Sequence, residues 1–355
     1  MTENSVNPYV LEFGQIPIEN INRASETENI TNIFLNPTIT QHIYLITGIR
    51  GSGKTVFLTT LERKIASNDN WVVVRVNGSS ESCFKQLKDN MMGSVALAKE
   101  LKFSSFSFSI AGFNVSFEKN KYSSEEVLIR DLLKKFKEHN KRLLITVDEV
   151  TNTSYIKELM SAFQNWLSED LPVFMLATGL QEKILEMQNV ENLTFLYRAP
   201  KIYLSPLNFA YMSSNYEKTL EVSNSIANKL ASLTKGYSFA FQALGNAMWE
   251  SKEISDEIIE KYKNTLFNMS YDKIWAELTD NEKTLAIGIA RTKSNRYKDI
   301  GETIKWSADQ MNPYRKRLID KMVVVSETRG CLSFSLPMFR EFILNQVEND
   351  NEWSF

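Results

Sequence analysis

The chain has 355 residues, of which 43% are hydrophobic and 24% are charged, and its formal net charge is −2 at pH 7. This length predicts two or three domains, and the composition is typical of a globular protein. The charge excludes a uniformly basic nucleic-acid-binding protein, and two cysteines and two histidines argue against a disulfide framework, a cysteine-rich metal site and a histidine-based site.

We expect a cytoplasmic protein that has no membrane association. No apolar run of the sequence approaches the roughly 18 residues that a membrane-spanning helix needs. The polar residues 1–7 lack the pattern of a signal peptide, and Cys83 and Cys331 suit a reducing compartment.

The first residues precede any strand pattern. Residues 1–20 are predicted to form a loosely attached N-terminal arm. The stretch from Glu19 reads as a helix, and the sequence Ser-Glu-Thr-Glu at 25–28 fits a capping box within it.

A glycine-rich loop then lies between a predicted strand and a predicted helix. The apolar run at 43–46 is typical of a buried parallel strand, and 57–65 carries the apolar spacing of a helix. Between them, residues 48–55 match G-x-x-x-x-G-K-[ST] at every fixed position. In this context the backbone N–H groups of the loop converge on phosphates. The predicted nucleoside triphosphate site consists of Gly48, Ile49, Arg50, Gly51, Ser52, Gly53, Lys54, Thr55 and Val56.

Two side chains of this loop have defined chemical roles. Lys54 is expected to reach the β- and γ-phosphate oxygens, and the Thr55 hydroxyl can coordinate Mg²⁺. The alternative, a chance glycine turn, is disfavoured because the fixed positions and both flanks of the motif are present.

Further along, an alternating pattern predicts a β-hairpin insert near 103–117. The alternating apolar residues are Phe106, Phe108, Ile110, Phe113, Val115 and Phe117. They could form a base-stacking platform. No basic residue is interleaved with them, which favours a hairpin packed against its own domain or against a partner.

An apolar strand at 142–149 ends in two carboxylates, Asp148 and Glu149. About ninety residues after Lys54, with strand and helix patterns between, this spacing predicts the second element of a phosphate site. Asp148 would hold Mg²⁺, directly or through water, and Glu149 would orient and deprotonate an attacking water. Read in isolation, the same residues are a strand end with two solvated acids.

The next strand, 171–177, ends in Thr178 and Gly179. Thr178 can touch the γ-phosphate or the attacking water, or it is an ordinary turn residue. Strands alternate with helices throughout 42–204, which predicts an α/β fold with a parallel sheet sandwiched by helices. We therefore assign 1–206 to a P-loop ATPase domain.

Residues 207–275 show no strand pattern and predict a helical lid domain. Its helices are expected at 208–213, 217–233, 237–251 and 254–267. No arginine occurs between Arg198 and Arg291, which excludes a lid that senses phosphate with its own arginine. Lys235 is the only obvious substitute.

Residues 276–346 predict a winged-helix domain, and 347–355 an acidic tail. A cap at 278–282 and a capping box at 307–310 begin two helices, and Pro313 suggests that the second helix is entered or restarted there. Strand, turn and strand follow at 323–336. The segment 276–345 has twelve basic and nine acidic residues, a net charge of +3. Its candidate DNA-contacting residues are Arg315, Lys316, Arg317, Lys321 and Arg329.

With these segments, the chain resembles the AAA+-related P-loop ATPases of the origin-recognition and STAND clade, and most of all the bacterial and archaeal ATPases that end in a winged helix. The resemblance covers residues 15–345, and its specific parts are 48–55, 143–149, 176–179 and 314–337.

The resemblance implies ATP as the nucleotide, with Mg²⁺, Thr178 as a sensor and Glu149 as the base. Arg198 lies near where such proteins place an arginine that touches a neighbour's nucleotide, which would require a homo-oligomer. The missing lid arginine departs from the origin-recognition pattern and favours STAND-like switches.

Two functions remain open on this basis. In the first, ATP binding and hydrolysis control how the winged helix engages duplex DNA through 276–345. In the second, the protein is a nucleotide-gated interaction or signalling module whose winged helix binds protein. A basic but merely solvated face would suit the second function.

Overall fold

The computed structural model describes residues 6–12, 23–36, 38, 41–77, 83–93 and 124–349. The chain divides into two compact units, which are described separately here. The first, the sheet unit, comprises Arg23–Thr47 and Lys54–Tyr203. The second, the helical unit, comprises Met1–Asn22, Gly48–Gly53 and Leu204–Phe355. The predicted hairpin near 103–117 lies outside the described residues, as does the tail from 350 onward.

A five-stranded parallel sheet forms the centre of the sheet unit. Its strands are β1 (Ile43–Thr47), β2 (Trp71–Asn77), β3 (Arg142–Asp148), β4 (Val173–Gly179) and β5 (Lys201–Tyr203). Their order across the sheet is β2-β3-β4-β1-β5. Every residue of β1 and β4 is buried, because a parallel sheet covered on both faces needs continuous apolar strands.

Helices connect these strands. They are α1 (Ala24–Leu35), α2 (Lys54–Ala66), α3 (Cys83–Gly93), α4 (Glu125–Glu138), α5 (Ser154–Ser168) and α6 (Gln181–Gln188). The apolar stripe predicted for the helix after the glycine loop is buried, namely Phe57, Leu58, Leu61 and Ile65. The predicted α/β fold is therefore confirmed.

The capping box expected at 25–28 is wrong. Helix α1 begins at Ala24 after Arg23, so Ser25 already lies inside the first turn. Its hydroxyl donates to the Glu26 carboxylate at 2.7 Å. An N-cap residue must keep non-helical backbone angles, and Ser25 has helical ones.

The helical unit has eight α-helices before its final hairpin and one after it, among the residues described. They are α7 (Phe209–Thr219), α8 (Asn224–Thr234), α9 (Ser238–Met248), α10 (Asp256–Leu266), the short α11 (Asp272–Ala276), α12 (Asp280–Arg291), α13 (Tyr297–Ile304), α14 (Ala308–Asp320) and α15 (Phe339–Asn349). The hairpin strands are β6 (Val324–Val325) and β7 (Ser333–Phe334). A π-helical turn, Phe267–Tyr271, joins α10 to α11.

One helix predicted at 217–233 is in fact two. Glu221 adopts a left-handed backbone (φ +54°) after α7, and the Ser223 side chain caps α8 by accepting the Ile226 N–H. The break follows from the capping preference of serine, which competes with continuation of the helix.

The N-terminal residues are not the loose arm that the sequence predicts, at least over 6–12. Tyr9 is 1% exposed in the core of the helical unit, and its hydroxyl donates to Asn215 at 3.0 Å. Its ring also occupies the space where a side chain at Gly245 would stand. The burial of Tyr9 attaches this segment to the helical unit. The sequence does not indicate the attachment.

The C-terminal helices and hairpin follow the predicted order. Ser307 and Gln310 form the expected capping box of α14, and Thr279 and Glu282 form one at α12. The expected restart at Pro313 is wrong, because Pro313 lies inside α14. The capping box starts the helix upstream, and proline removes only one backbone donor there.

A short extended pairing completes this region. Strands β6 and β7 pair antiparallel, Val324 opposite Phe334, and Arg296 makes an isolated bridge to Cys331. In the described part of the chain, no helix has the length and apolar character needed to cross a membrane.

Candidate nucleotide site

Three predicted site residues meet at the carboxyl edge of the sheet. Strand β4 lies between β1 and β3, so Thr178 at the end of β4 is the register partner of Ile46 on one side and is near the end of β3 on the other. Ligands of open parallel sheets bind at this edge. The position predicted for Thr178, between the two neighbouring strand ends, is therefore the observed one.

The Thr178 hydroxyl links the two acidic residues. It donates a hydrogen bond of 2.6 Å to Oδ1 of Asp148 and accepts the N–H of Glu149 at 3.1 Å. Thr178 is fully buried, so its donor and acceptor are both used where water does not compete. The hydroxyl thereby fixes the Asp148 carboxylate relative to the Glu149 backbone.

Glu149 has a backbone conformation that is uncommon for a non-glycine residue. Its φ is +59°, and its side chain is exposed. The next residue, Val150, donates its N–H to the Thr178 carbonyl at 2.7 Å. Strained left-handed residues concentrate at functional sites. The chain therefore turns sharply after Asp148, which separates the directions of the two carboxylates.

Lys54 and Thr55 form the first turn of α2. This places both at a helix N-terminus, where unpaired N–H groups and the helix dipole favour a bound anion. Within the sheet unit, the residues predicted to bind phosphate and metal thus occupy the helix start, and the predicted acids occupy the strand end.

The sequence gives no role to a polar cluster behind these residues. Arg75 on β2 donates to Glu62 of α2 at 2.6 Å and to Thr59 at 2.5 Å, and the Thr146 hydroxyl also binds Glu62. The hydrogen bond from Glu62 raises the pKa of Arg75, and the charge of Asp148 contributes in the same direction. The available signal was Arg75 itself, the one charged residue in an apolar strand.

A second residue without a predicted role is Thr47, at the end of β1. It is 1% exposed, and its hydroxyl has no hydrogen-bond partner within the described part of the chain. An unsatisfied buried hydroxyl is uncommon in proteins. Thr47 is therefore a further polar group at the same edge of the sheet.

The glycine loop itself is held by the helical unit. The Tyr237 hydroxyl donates to the Arg50 carbonyl at 2.8 Å, the Phe239 N–H to the Gly51 carbonyl at 3.0 Å and the Ser238 hydroxyl to the Ser52 carbonyl at 3.0 Å. Gly51 has φ +73°, and a Cβ there would lie 2.2 Å from the Tyr237 oxygen.

Lys235, the expected substitute for a lid arginine, is used elsewhere. Its ammonium donates to the Phe334 carbonyl of β7 at 3.1 Å, and burial lowers its pKa. This interaction connects α8 to the C-terminal hairpin.

Arg198 is exposed and follows the 3-10 segment Glu191–Tyr197. Its N–H donates to the Phe195 carbonyl at 3.0 Å, which ends that segment. The contact of Arg198 with a neighbour's nucleotide stays a prediction.

The predicted DNA-contacting residues separate into two groups. Lys316, Arg317 and Arg329 are exposed, while Arg315 is half-buried with its guanidinium 5.8 Å from the Tyr297 ring centroid. Lys321, which was expected to contact DNA, pairs with an acidic residue of the same chain. Its ammonium lies 2.9 Å from the Glu282 carboxylate, which is 1% exposed. A buried carboxylate needs this partner, so Lys321 serves to hold α14 against α12.

One solved structure shares the fold described above, and two further structures are weaker matches. The chain is similar in structure to the Walker-type ATPase PABY2304 of Pyrococcus abyssi, with 16% identity, a TM-score of 0.65, and coverage of 92% of this chain and 96% of that one. Cdc6p from Pyrobaculum aerophilum is a weaker match, with 15% identity, a TM-score of 0.48, and coverage of 96% and 97%. The ORC1 protein of Aeropyrum pernix, in a complex with DNA, matches at 12% identity and a TM-score of 0.47, covering 98% and 97%.

Sequence comparisons add one local match. Residues 268–343 match a domain of unknown function (DUF8462). The comparison with curated proteins returns no match. The similarity to the Pyrococcus abyssi protein therefore shows a shared fold, in agreement with the fold that the resemblance predicted.

Proposed function

We propose that the protein is a Mg²⁺-dependent ATPase. The observation that carries the proposal is the Thr178 hydroxyl, which binds both Asp148 and Glu149 at the sheet edge where β1 leads into the glycine loop. Holding a metal-binding acid and a base in one geometry is the arrangement that hydrolysis of the phosphoanhydride bond of ATP requires.

The residues fit a magnesium ion. Mg²⁺ takes hard oxygen ligands and is usually bound through one or two carboxylates together with substrate phosphates. Asp148 supplies a carboxylate whose Oδ1 is oriented by Thr178, and Thr55 supplies a hydroxyl. When bound, the ion would neutralise charge on the β- and γ-phosphates, with Asp148 and Thr55 holding it.

Other side chains bind the phosphates and activate the attacking water. Lys54 neutralises phosphate charge in the ground and transition states. Glu149, exposed and held through its N–H, accepts a proton from the attacking water. Val56 and residues 48–53 complete the proposed ATP site.

A titration tests this proposal directly. We expect ATP to bind the wild-type protein in the presence of Mg²⁺ and to release phosphate slowly, and EDTA to abolish the release. Binding is measured by calorimetry and phosphate by a continuous coupled assay. A folded wild-type protein that takes up neither ATP nor GTP would refute the proposal.

We further propose that the C-terminal segment, 276–345, is a winged helix that binds duplex DNA mainly through phosphates. What supports this is a net charge of +3, with Lys316 and Arg317 exposed on α14 and Arg329 exposed beside the left-handed Gly330 of the hairpin turn. The sequence of helices α12, α13 and α14 followed by a hairpin suits a winged helix.

The alternative is a protein-binding winged helix in a nucleotide-gated interaction module. Asp309 and Asp320 on the same helix weaken the basic patch and favour it. Random duplex DNA discriminates between the two functions: anisotropy titrations at low salt, with and without ATP, should show binding only if DNA is the partner. If the anisotropy shows no DNA binding either with or without ATP, the result supports the protein-interaction module.

A further inference from the structure

The glycine loop is held by three successive backbone carbonyls. The carbonyls of Arg50, Gly51 and Ser52 accept hydrogen bonds from Tyr237, Phe239 and Ser238 at the start of α9. Across a planar trans peptide, the carbonyl of one residue and the N–H of the next point in opposite directions. The N–H groups of Gly51 and Gly53 therefore point away from α9, as phosphate binding requires.

Tyr237 is the central contact in this set. It is 6% exposed, and burial raises the pKa of its hydroxyl, so that the group remains a donor. It has one proton, which goes to the Arg50 carbonyl, because a carbonyl can only accept. The second bond of the hydroxyl, 2.7 Å to Ser270, must therefore use Ser270 as the donor.

Ser270 continues the connection toward the C-terminal segment. It lies in the π-helical turn Phe267–Tyr271, a distortion that occurs frequently at functional sites. The adjacent Tyr271 stacks on Tyr237 with ring centroids 6.4 Å apart, and its hydroxyl donates to the Pro337 carbonyl at 2.5 Å. Both tyrosines and Ser270 are buried.

A second connection runs along the surface of the same unit. Arg50 of the glycine loop forms a two-point ion pair with Glu277, at 2.5 and 2.6 Å. The Glu277 carbonyl accepts from the Lys321 ammonium at 3.1 Å, and Lys321 pairs with Glu282. The glycine loop thus contacts the start of α9 through its backbone, and Glu277, between α11 and α12, through the Arg50 side chain.

We propose that Tyr237 is a positioning residue for the glycine loop and that, together with Ser270 and Glu277, it couples nucleotide binding to the C-terminal segment. The coupling rests on the proposed nucleotide site. The positioning does not, because it rests only on contacts between residues of the helical unit. A phosphate that draws the loop N–H groups toward itself shifts the same peptide planes, and the shift reaches Ser270 and Glu277.

Hydrogen–deuterium exchange of the nucleotide-free protein tests the positioning step. Tyr237→Phe removes the hydroxyl and keeps the ring, so peptides covering 47–55 should exchange faster. Tyr216→Phe is the matched control, because Tyr216 is also fully buried and donates to a carbonyl, that of Phe241, at 2.7 Å. Equal loop exchange in wild type and Tyr237→Phe overturns the proposal.

Nucleotide titration of the same variants tests the coupling. Loss of one hydrogen bond should weaken ATP binding by about two- to tenfold in Tyr237→Phe. Tyr216→Phe should bind as wild type does even if its melting temperature falls. Ser270→Ala should act in the same direction as Tyr237→Phe.

Exchange at saturating ATP completes the test. In the wild type, ATP should alter exchange in peptides covering 267–282 and 314–323, and in Tyr237→Phe/Glu277→Gln that response should be lost although ATP is bound. A response retained in the double variant overturns the coupling. If the wild type binds no ATP, the proposed function and the coupling both fail, while the loop exchange of the apo protein still decides the positioning role of Tyr237.

Discussion

The Thr178 hydroxyl and the left-handed Glu149 depend on each other. A non-glycine residue with positive φ costs about 1–3 kcal/mol, and it persists only where surrounding contacts determine the backbone. Here the contacts are the hydrogen bonds from Glu149 and Val150 to Thr178. The bonds that offset the strain also fix the backbone of Glu149 relative to Thr178, whose hydroxyl holds the Asp148 carboxylate.

Substitutions of Lys54 and Glu149 should separate binding from hydrolysis. Lys54→Ala is expected to abolish ATP binding, because it removes the charge that neutralises the phosphates. Glu149→Gln should keep ATP binding and slow phosphate release by roughly 10²–10⁴, the contribution of a single general base. Fluorescent-nucleotide titration and single-turnover phosphate release measure the two effects.

The comparison between these two variants carries its own control. Both change one side chain of the sheet unit, so circular dichroism should show equal folding. Turnover of Glu149→Gln at the wild-type rate would remove Glu149 from the role of base. An equal loss of nucleotide affinity in both variants would do the same.

Thr178 offers a matched pair of substitutions. Thr178→Val keeps the shape and removes the hydroxyl, leaving the Glu149 N–H and Asp148 without their shared partner. We expect phosphate release to fall about 5- to 160-fold, which corresponds to the ~1–3 kcal/mol for a broken buried hydrogen bond. Thr178→Ser keeps the hydroxyl and should retain most of the activity. Equal rates for Val and Ser would leave Thr178 with a packing role only.

In and next to helix α14, the helix start and the ion pair of Lys321 determine which basic residues remain accessible to solvent. Its capping box starts it at Ala308, so the exposed Lys316 and Arg317 fall on a face away from the buried Met311 and Leu318. Lys321, just past its end, pairs with Glu282 of α12. The helix therefore presents two exposed cations, and the hairpin turn adds Arg329.

Replacing these three cations should change the salt dependence of DNA binding. If the wild type contacts three to five phosphates, log affinity should fall against log salt with a slope of roughly −3 to −5. The triple variant Lys316→Ala/Arg317→Ala/Arg329→Ala should show a flatter slope at unchanged melting temperature. Fluorescence anisotropy on a random duplex across a salt series measures it.

Three exposed lysines elsewhere in the helical unit supply the control, because their loss changes the net charge equally. They are Lys218, Lys229 and Lys261. Their triple alanine variant should keep the wild-type slope. The same flattening in both triple variants would assign the effect to net charge and remove α14 as the DNA-binding element.

At the scale of the molecule, the backbone passes back and forth between the two units. The backbone leaves the sheet unit after Thr47, contributes Gly48–Gly53 to the helical unit and returns at Lys54. The glycine-rich motif is therefore divided between the two units although it is continuous in sequence.

Arg198 concerns the assembly of more than one molecule. If it acts on a neighbour's nucleotide, Arg198→Ala protein should be inactive alone and should regain activity when mixed with Lys54→Ala protein, because each supplies what the other lacks. An arginine supplied in trans contributes roughly 10³–10⁵ in rate, so recovery is easily detected. Phosphate release by the mixture is the measurement, and full activity of Arg198→Ala alone would make Arg198 an ordinary surface residue.

The sequence was sufficient for several contiguous signals, although the local patterns at 25–28 and at Pro313 were misleading. The glycine loop with its flanks, the acids that end β3 and Thr178 at the end of β4 are short local patterns. Their convergence follows because parallel strands bring their carboxyl ends to one edge. The same locality identified the capping boxes of α12 and α14.

Pairings between distant residues depended on the folded chain. Tyr237 and Arg50 are 187 positions apart, Lys321 and Glu282 are 39 apart, and Tyr9 packs against residues more than 200 positions away. The sequence does not show which residue a tyrosine or lysine will contact. The partner depends on the path of the backbone and on which buried polar groups still need a hydrogen bond. The contacts of the glycine loop with α9, and the loss of Lys321 from the basic surface, follow from that packing.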